Sequence, residues 1–259
     1  MKVFEIISEI NRIAPLTSQE SWDNSGVQVG DVTAECTGVM LCVDVTPDVV
    51  LEARDRGCNL IISHHPLLFK GLKRICPGDN VVQQSVIDAI RFGITIFSSH
   101  TSLDKAAKGI STYMVGKLGA DPKRPLKIDD FDTGLGCIAE YFEPITPAML
   151  VSDIKRYFGS PMVRCSEGRF DTIKKIAVCG GSGGEFIPDA IAAGCQAYLT
   201  SDVRYHDFVD YGRQILILDI GHFEGEECAK DIFYNIISEK FPNFAVYKSA
   251  KERNPIKYL

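Results

Sequence analysis

Apolar residues fall along this chain in short continuous blocks rather than in strict alternation. "VMLCV", "LIIS", "ITIFSS", "IAVCG", "AYLTS" and "ILILDIG" are such blocks, and polar–apolar stretches of helical period separate them. Unbroken strand-formers alternating with helical stretches predict parallel βαβ units covered on both faces. Thr46-Pro47 and Thr146-Pro147 are read as helix starts, each a capping threonine followed by proline in the first turn.

The pattern is written twice. "GVMLCVDVTPDVVLEARDRGCNLIIS" and "KKIAVCGGSGGEFIPDAIAAGCQAYLTS" each run strand, turn, helix, Gly-Cys, strand, with Cys42, Gly57 and Cys58 at the offsets of Cys179, Gly194 and Cys195. Each copy continues into a third apolar strand, one ending at His100 and the other at His222. The repetition fits either two similar α/β halves from a duplication or two ordinary βαβ units that share a glycine C-cap. Pro, Gly and Asp between residues 121 and 130 mark a boundary, after which "TGLGCIAEYF" is read as a strand. The fold class is therefore α/β, with mostly parallel βαβ units in two similar domains.

Ligands gather beyond the carboxyl ends of parallel strands. His64 and His65 follow "LIIS", His100 follows "TIFSS" and His222 follows "LILDIG", so three strand ends can bring imidazoles to one edge. Neighbours on an extended strand point oppositely. Leaving the strand at Ser63, before Pro66, instead lets both rings of "HHP" serve nearby positions. An acid stands four residues beyond two of these histidines: Glu226 after His222, and Asp104 after His100. A helix after Gly221 puts His222 and Glu226 on one face, whereas "HTSLD" reads more like a loop.

His64, His65, Asp104, His222 and Glu226 combine imidazoles with carboxylates, the donor set of a first-row transition ion such as Zn, Fe, Mn, Co or Ni. Five such groups overfill one catalytic ion and suit two divalent ions. "CGGSGGE", residues 179–185, lacks a Walker pattern; its glycines serve either phosphate or tight packing. His206 lies beyond the strand "AYLTS", with a structural role or a place near the same edge both open.

Bulk composition changes little. The 259 residues are 45% hydrophobic and 24% charged, an ordinary globular balance. The net charge of −6 and the lack of a basic block disfavour nucleic acid as a partner. No apolar run approaches a membrane span, and the start of the chain does not read as a signal peptide. Nine scattered cysteines without a Cys-x-x-Cys pair indicate reduced core thiols, hence a cytoplasmic protein and no thiolate-bound metal.

"SWDNSGVQVGD", "LCVDVTPDVVLEA", "LIISHHPLLF", "SSHTSLD", "AVCGGSGGE", "YLTSDVRYHD" and "DIGHFEGE" follow one another as in the Nif-three-like proteins. These are dinuclear-metal proteins often labelled GTP cyclohydrolase I type 2 homologues, and the resemblance spans nearly the whole chain. It implies two α/β domains, a homohexamer and metal ligation at the same five positions, with His100 lining the site. Ser102 departs from the asparagine commoner there. The expected organisation is residues 1–125 with 219–259 as the ligand-bearing domain and 126–218 as the second, with the metals at strand carboxyl ends in the cleft between them. The expected function is hydrolysis of a nucleotide or another small phosphorylated or cyclic-amide substrate by metal-bound hydroxide, with His100 or His206 as proton shuttle or substrate contact. The alternative is a non-enzymatic metal-binding scaffold that docks a partner protein.

Overall fold

A computed structural model describes residues 1–78, 80–130 and 133–258. In chain order the elements begin α1 (Val3–Ile13), β1 (Gly26–Val29), β2 (Val39–Cys42), α2 (Pro47–Asp55), β3 (Leu60–Ser63), α3 (Val81–Phe92), β4 (Thr95–Ser98), α4 (Thr101–Lys105) and α5 (Ile110–Lys117). Next come β5 (Asp121–Arg124), β6 (Lys127–Asp130), β7 (Thr133–Leu135), β8 (Cys137–Ile145), α6 (Pro147–Phe158), β9 (Arg164–Cys165) and β10 (Ile173–Ser182). The chain then forms α7 (Ile187–Ala192), β11 (Ala197–Ser201), α8 (Tyr205–Tyr211), β12 (Leu216–Asp219), α9 (His222–Glu226), α10 (Ala229–Lys240) and β13 (Val246–Lys248).

Contacts divide the chain into two units: Met1–Leu103 with Ala229–Arg253, and Asp104–Cys228 with Asn254–Leu259. Residues 104–125 and 219–228, grouped with the first domain on sequence grounds, fall in the second unit.

The first unit holds a five-stranded sheet in the order β1-β4-β3-β2-β13. Its last four strands are parallel and β1 is antiparallel at the edge. Every residue of β2, β3 and β4 is buried, which is why these strands read as unbroken apolar runs. Met40, Ile61 and Ile96 pack against Val49, Val50 and Ala53 of α2 and Val86 and Ala89 of α3. Thr46 Oγ1 accepts from Val49 N at the start of α2, as the Thr-Pro pair predicts. Cys42, Ser63 and Ser98 are in register, so three parallel strands end level.

The second unit holds a six-stranded sheet, β5-β8-β10-β11-β12-β9. Its centre, β10-β11-β12, is parallel, and its flanking strands are antiparallel. The repeated pattern therefore marks the same motif in each unit, three parallel strands in sequential order. The second unit extends it with antiparallel strands that the repeat does not contain. "TGLGCIAEYF" is not one strand: Gly136, at φ 70°, separates β7, paired with β6, from β8 in the large sheet. Ile138, Ala177, Tyr198 and Ile217 build the core here, with Ile187 and Ala190 of α7.

Candidate metal centre

The level strand ends of the first unit carry three imidazoles. The chain bends out of β3 at His64, whose N–H bonds Cys42 O at 3.1 Å, and His65 N–H bonds Val43 O at 2.9 Å. Ser63 Oγ donates to His65 O at 2.8 Å, which tightens the bend. The His64 and His65 ring centroids lie 5.0 Å apart, and His100 joins them at 5.2 and 5.4 Å. One donor nitrogen from each of the three falls within 4.8 Å of the others.

Each ring is oriented through its Nδ1. His64 meets the Ser99 carbonyl at 3.0 Å, His65 the Asp44 carboxylate at 2.9 Å, and His100 the Asp23 carboxylate at 2.9 Å. A carbonyl or carboxylate oxygen only accepts, so Nδ1 carries the proton of each of these bonds. This second-sphere bond is the usual companion of a metal-ligating histidine. Asp23 is itself firmly held. Burial alone would raise its carboxyl, but hydrogen bonds from His100, Thr101 and Ser25 dominate and keep it well below the usual carboxylate range.

In the second unit, α9 starts directly after β12 and presents His222 and Glu226 on one face. Their Nε2 and Oε2 atoms lie 3.0 Å apart, and His222 Nδ1 meets Asp202 Oδ2 at 2.6 Å. Asp202 is the only non-glycine residue with positive φ among the described residues, at 55°, a conformation aspartate tolerates. Cys179 links the acids: burial first, then the charges of Asp104 and Glu226, push its thiol up to about 12. It stays protonated and offers no thiolate ligand. Asp104 rides on α4, so "HTSLD", read as a loop in sequence, turns helical from Thr101 onward.

The glycines of "CGGSGGE" are packing glycines. Residues 179–182 complete β10 rather than forming a loop. A Cβ at Gly180 would lie 2.4 Å from Ile110 Cγ2, at Gly183 2.5 Å from Thr200 Oγ1, and at Gly181 2.0 Å from Glu226 Oε1. His206 joins neither cluster; it lies exposed in the first turn of α8, its ring 5.4 Å from that of Tyr205.

Sequence reading missed Asp23, Asp44, Asp202 and Gly181. The three aspartates share a detectable signal, since each lies within a few residues of a strand end. The residues present fit a transition metal: oriented imidazoles, buried carboxylates and no thiolate.

A family model described as Duf34/NIF3 (NGG1p interacting factor 3) matches residues 1–255. A protein of Clostridium perfringens named "GTP cyclohydrolase 1 type 2 homolog" is 35% identical over 232 residues, covering 87% of each chain. A Lactococcus lactis protein of the same name is 30% identical over 98% of both chains. The crystal structure of a Staphylococcus aureus hypothetical protein covers 100% of this chain and 99% of its own, at 28% identity and a TM-score of 0.90.

Proposed function

Because the chain belongs to the Duf34/NIF3 family, we propose that it is a two-metal hydrolase for a nucleotide or another small phosphorylated or cyclic-amide substrate. The observation that carries the reading is the shared orientation of the histidines. His64, His65, His100 and His222 each meet an oxygen through Nδ1, the second-sphere bond that accompanies a metal-ligating histidine.

His64 and His65 would hold one divalent ion, and Asp104, His222 and Glu226 a second. Such ions supply Lewis acidity to a water and to the substrate oxygen. The protein's own groups do the rest. Asp23 fixes the His100 ring with its Nε2 toward the imidazole cluster, which suits proton exchange with a reacting group. The cyclohydrolase name of the relatives fits this chemistry, since opening a purine ring begins with an activated water. The assembly belonging to this reading is a homohexamer, measurable by light scattering.

The test is a turnover screen of metal-loaded protein against nucleoside triphosphates, phosphoesters and cyclic amides. Product formation that disappears in His64→Ala and in Glu226→Gln is the expected result. Metal-loaded protein that turns over nothing, yet captures a partner protein in a manner abolished by His64→Ala/His65→Ala, would replace the enzyme by a metal-binding scaffold.

A further inference from the structure

Beside the imidazole cluster of the first unit stand two large aromatic side chains in water. Trp22 is 59% exposed and Phe69 49%. Single exposed apolar residues are common and need no explanation. These two, however, form a figure with His100. The Trp22–Phe69, Trp22–His100 and Phe69–His100 centroids are 6.0, 5.9 and 6.1 Å apart, with interplanar angles of 61°, 72° and 78°. Three rings, each edge-on to the other two, make a corner with open aromatic faces.

The corner is built rather than incidental. Asn24 Nδ2, two residues from Trp22, donates to Leu68 O at 2.8 Å, next to Phe69. Gln28 Oε1 accepts from Leu68 N at 3.0 Å. Asp23, adjacent to Trp22, accepts from Thr101 Oγ1 at 2.6 Å and Ser25 Oγ at 2.9 Å as well as holding His100. The turns that carry both aromatics are thus stitched together before any ligand arrives, so little ordering cost remains for binding.

We propose that Trp22 and Phe69 are the specificity-determining residues of this site and bind the planar aromatic heterocycle of the substrate, the base of a nucleotide, beside His100. A flat ring stacked on one aromatic face meets the edge of the next, the arrangement that ring quadrupoles favour. Stacking tolerates any base because every base has a π face. The inference rests on the imidazole cluster being the reacting centre, and it narrows the substrate class from small phosphorylated or cyclic-amide compounds to those with an aromatic ring.

Trp22 is the chain's single tryptophan, so its fluorescence reports this corner directly. Metal-free protein in chelator is titrated with guanosine 5′-monophosphate, uridine 5′-monophosphate and ribose 5-phosphate. Both nucleotides should quench saturably and ribose 5-phosphate should not. Phe69→Ala should weaken nucleotide binding on the order of tenfold or more, and Phe69→Tyr should restore it. No saturable quenching by either nucleotide, equal affinity for ribose 5-phosphate, or an unchanged Phe69→Ala would overturn the proposal. Because the measurement needs neither metal nor turnover, failure of the hydrolase reading and failure of the aromatic corner give different results.

Discussion

Gly181 and Glu226 occupy space that only a glycine permits them to share. A Cβ at Gly181 would stand 2.0 Å from Glu226 Oε1, and the backbone there has φ +65°. The contact couples the end of β10 to the last residue of α9.

Gly181→Ala should therefore act on the carboxylate more than on the fold. The left-handed backbone costs a non-glycine residue roughly 1–2 kcal/mol, while the clash moves Glu226, whose side chain is 4% exposed and has little room elsewhere. Metal analysis of the purified variant should show loss of the ion held with His222, alongside a small fall in Tm. Full metal content would show that Glu226 does not need its present position.

The orienting aspartates make a separate prediction. Asp44→Asn and Asp202→Asn leave shape nearly unchanged but let an amide stand where a carboxylate fixes the tautomer of His65 and His222. Each should weaken metal affinity by about 10–100-fold, measured by calorimetric titration. Stability should hardly move, because the Asp44 and Asp202 side chains are 49% and 50% exposed. Unaltered affinity in both variants would remove their second-sphere role.

Much of this was legible in the chain, and the reasons differ by residue. β2, β3 and β4 are buried on both faces, so their apolar runs announce parallel strands. His64, His65 and His100 announce themselves by standing where β3 and β4 stop, and His222 by standing just past β12. "HTSLD" misled because five residues are too short to show a helical period, and α4 exists through its place after β4. Asp23, Asp44 and Asp202 were hidden among ordinary surface acids. Their partners lie 77, 21 and 20 residues away in sequence, a pairing that only the folded chain reveals.

Asp23 gives a pH-dependent prediction. Its folded carboxyl lies below the ordinary 3.8, so the ionised form stabilises the protein fully above that value. The advantage fades as the pH falls toward the folded value and the unfolded chain takes up the proton first. Urea denaturation of wild type and Asp23→Asn should differ most near neutral pH, with the gap starting to narrow only below about pH 4. A gap constant down to about pH 3 would mean that the charge contributes nothing.

Lys230 and Glu252 form a buried pair, 3.0 Å apart with side chains 7% and 2% exposed. Glu252 Oε1 also accepts from Val43 N and Asp44 N, both at 2.7 Å, and so braces the segment whose Asp44 orients His65. Burial raises the Glu252 carboxyl, outweighing the attraction of Lys230, so the acid depends on its partner. Lys230→Ala should cost about 3–5 kcal/mol in chemical denaturation. A loss under about 1 kcal/mol would place the pair with weak surface ion pairs instead.

Counting ions separates the two ligand sets. If His64 and His65 hold one ion and Asp104, His222 and Glu226 another, wild type should bind about two per chain by elemental analysis. His64→Ala/His65→Ala and Asp104→Asn/Glu226→Gln should each retain about one. Chelation should lower the Tm of wild type, because an ion that binds only the folded chain adds to its stability, and readdition should restore it. The imidazole variant should keep part of this chelator response, since its carboxylate set is intact. Wild type that binds a single ion would end the two-metal reading, because a second activating ion would then have no place in the reaction.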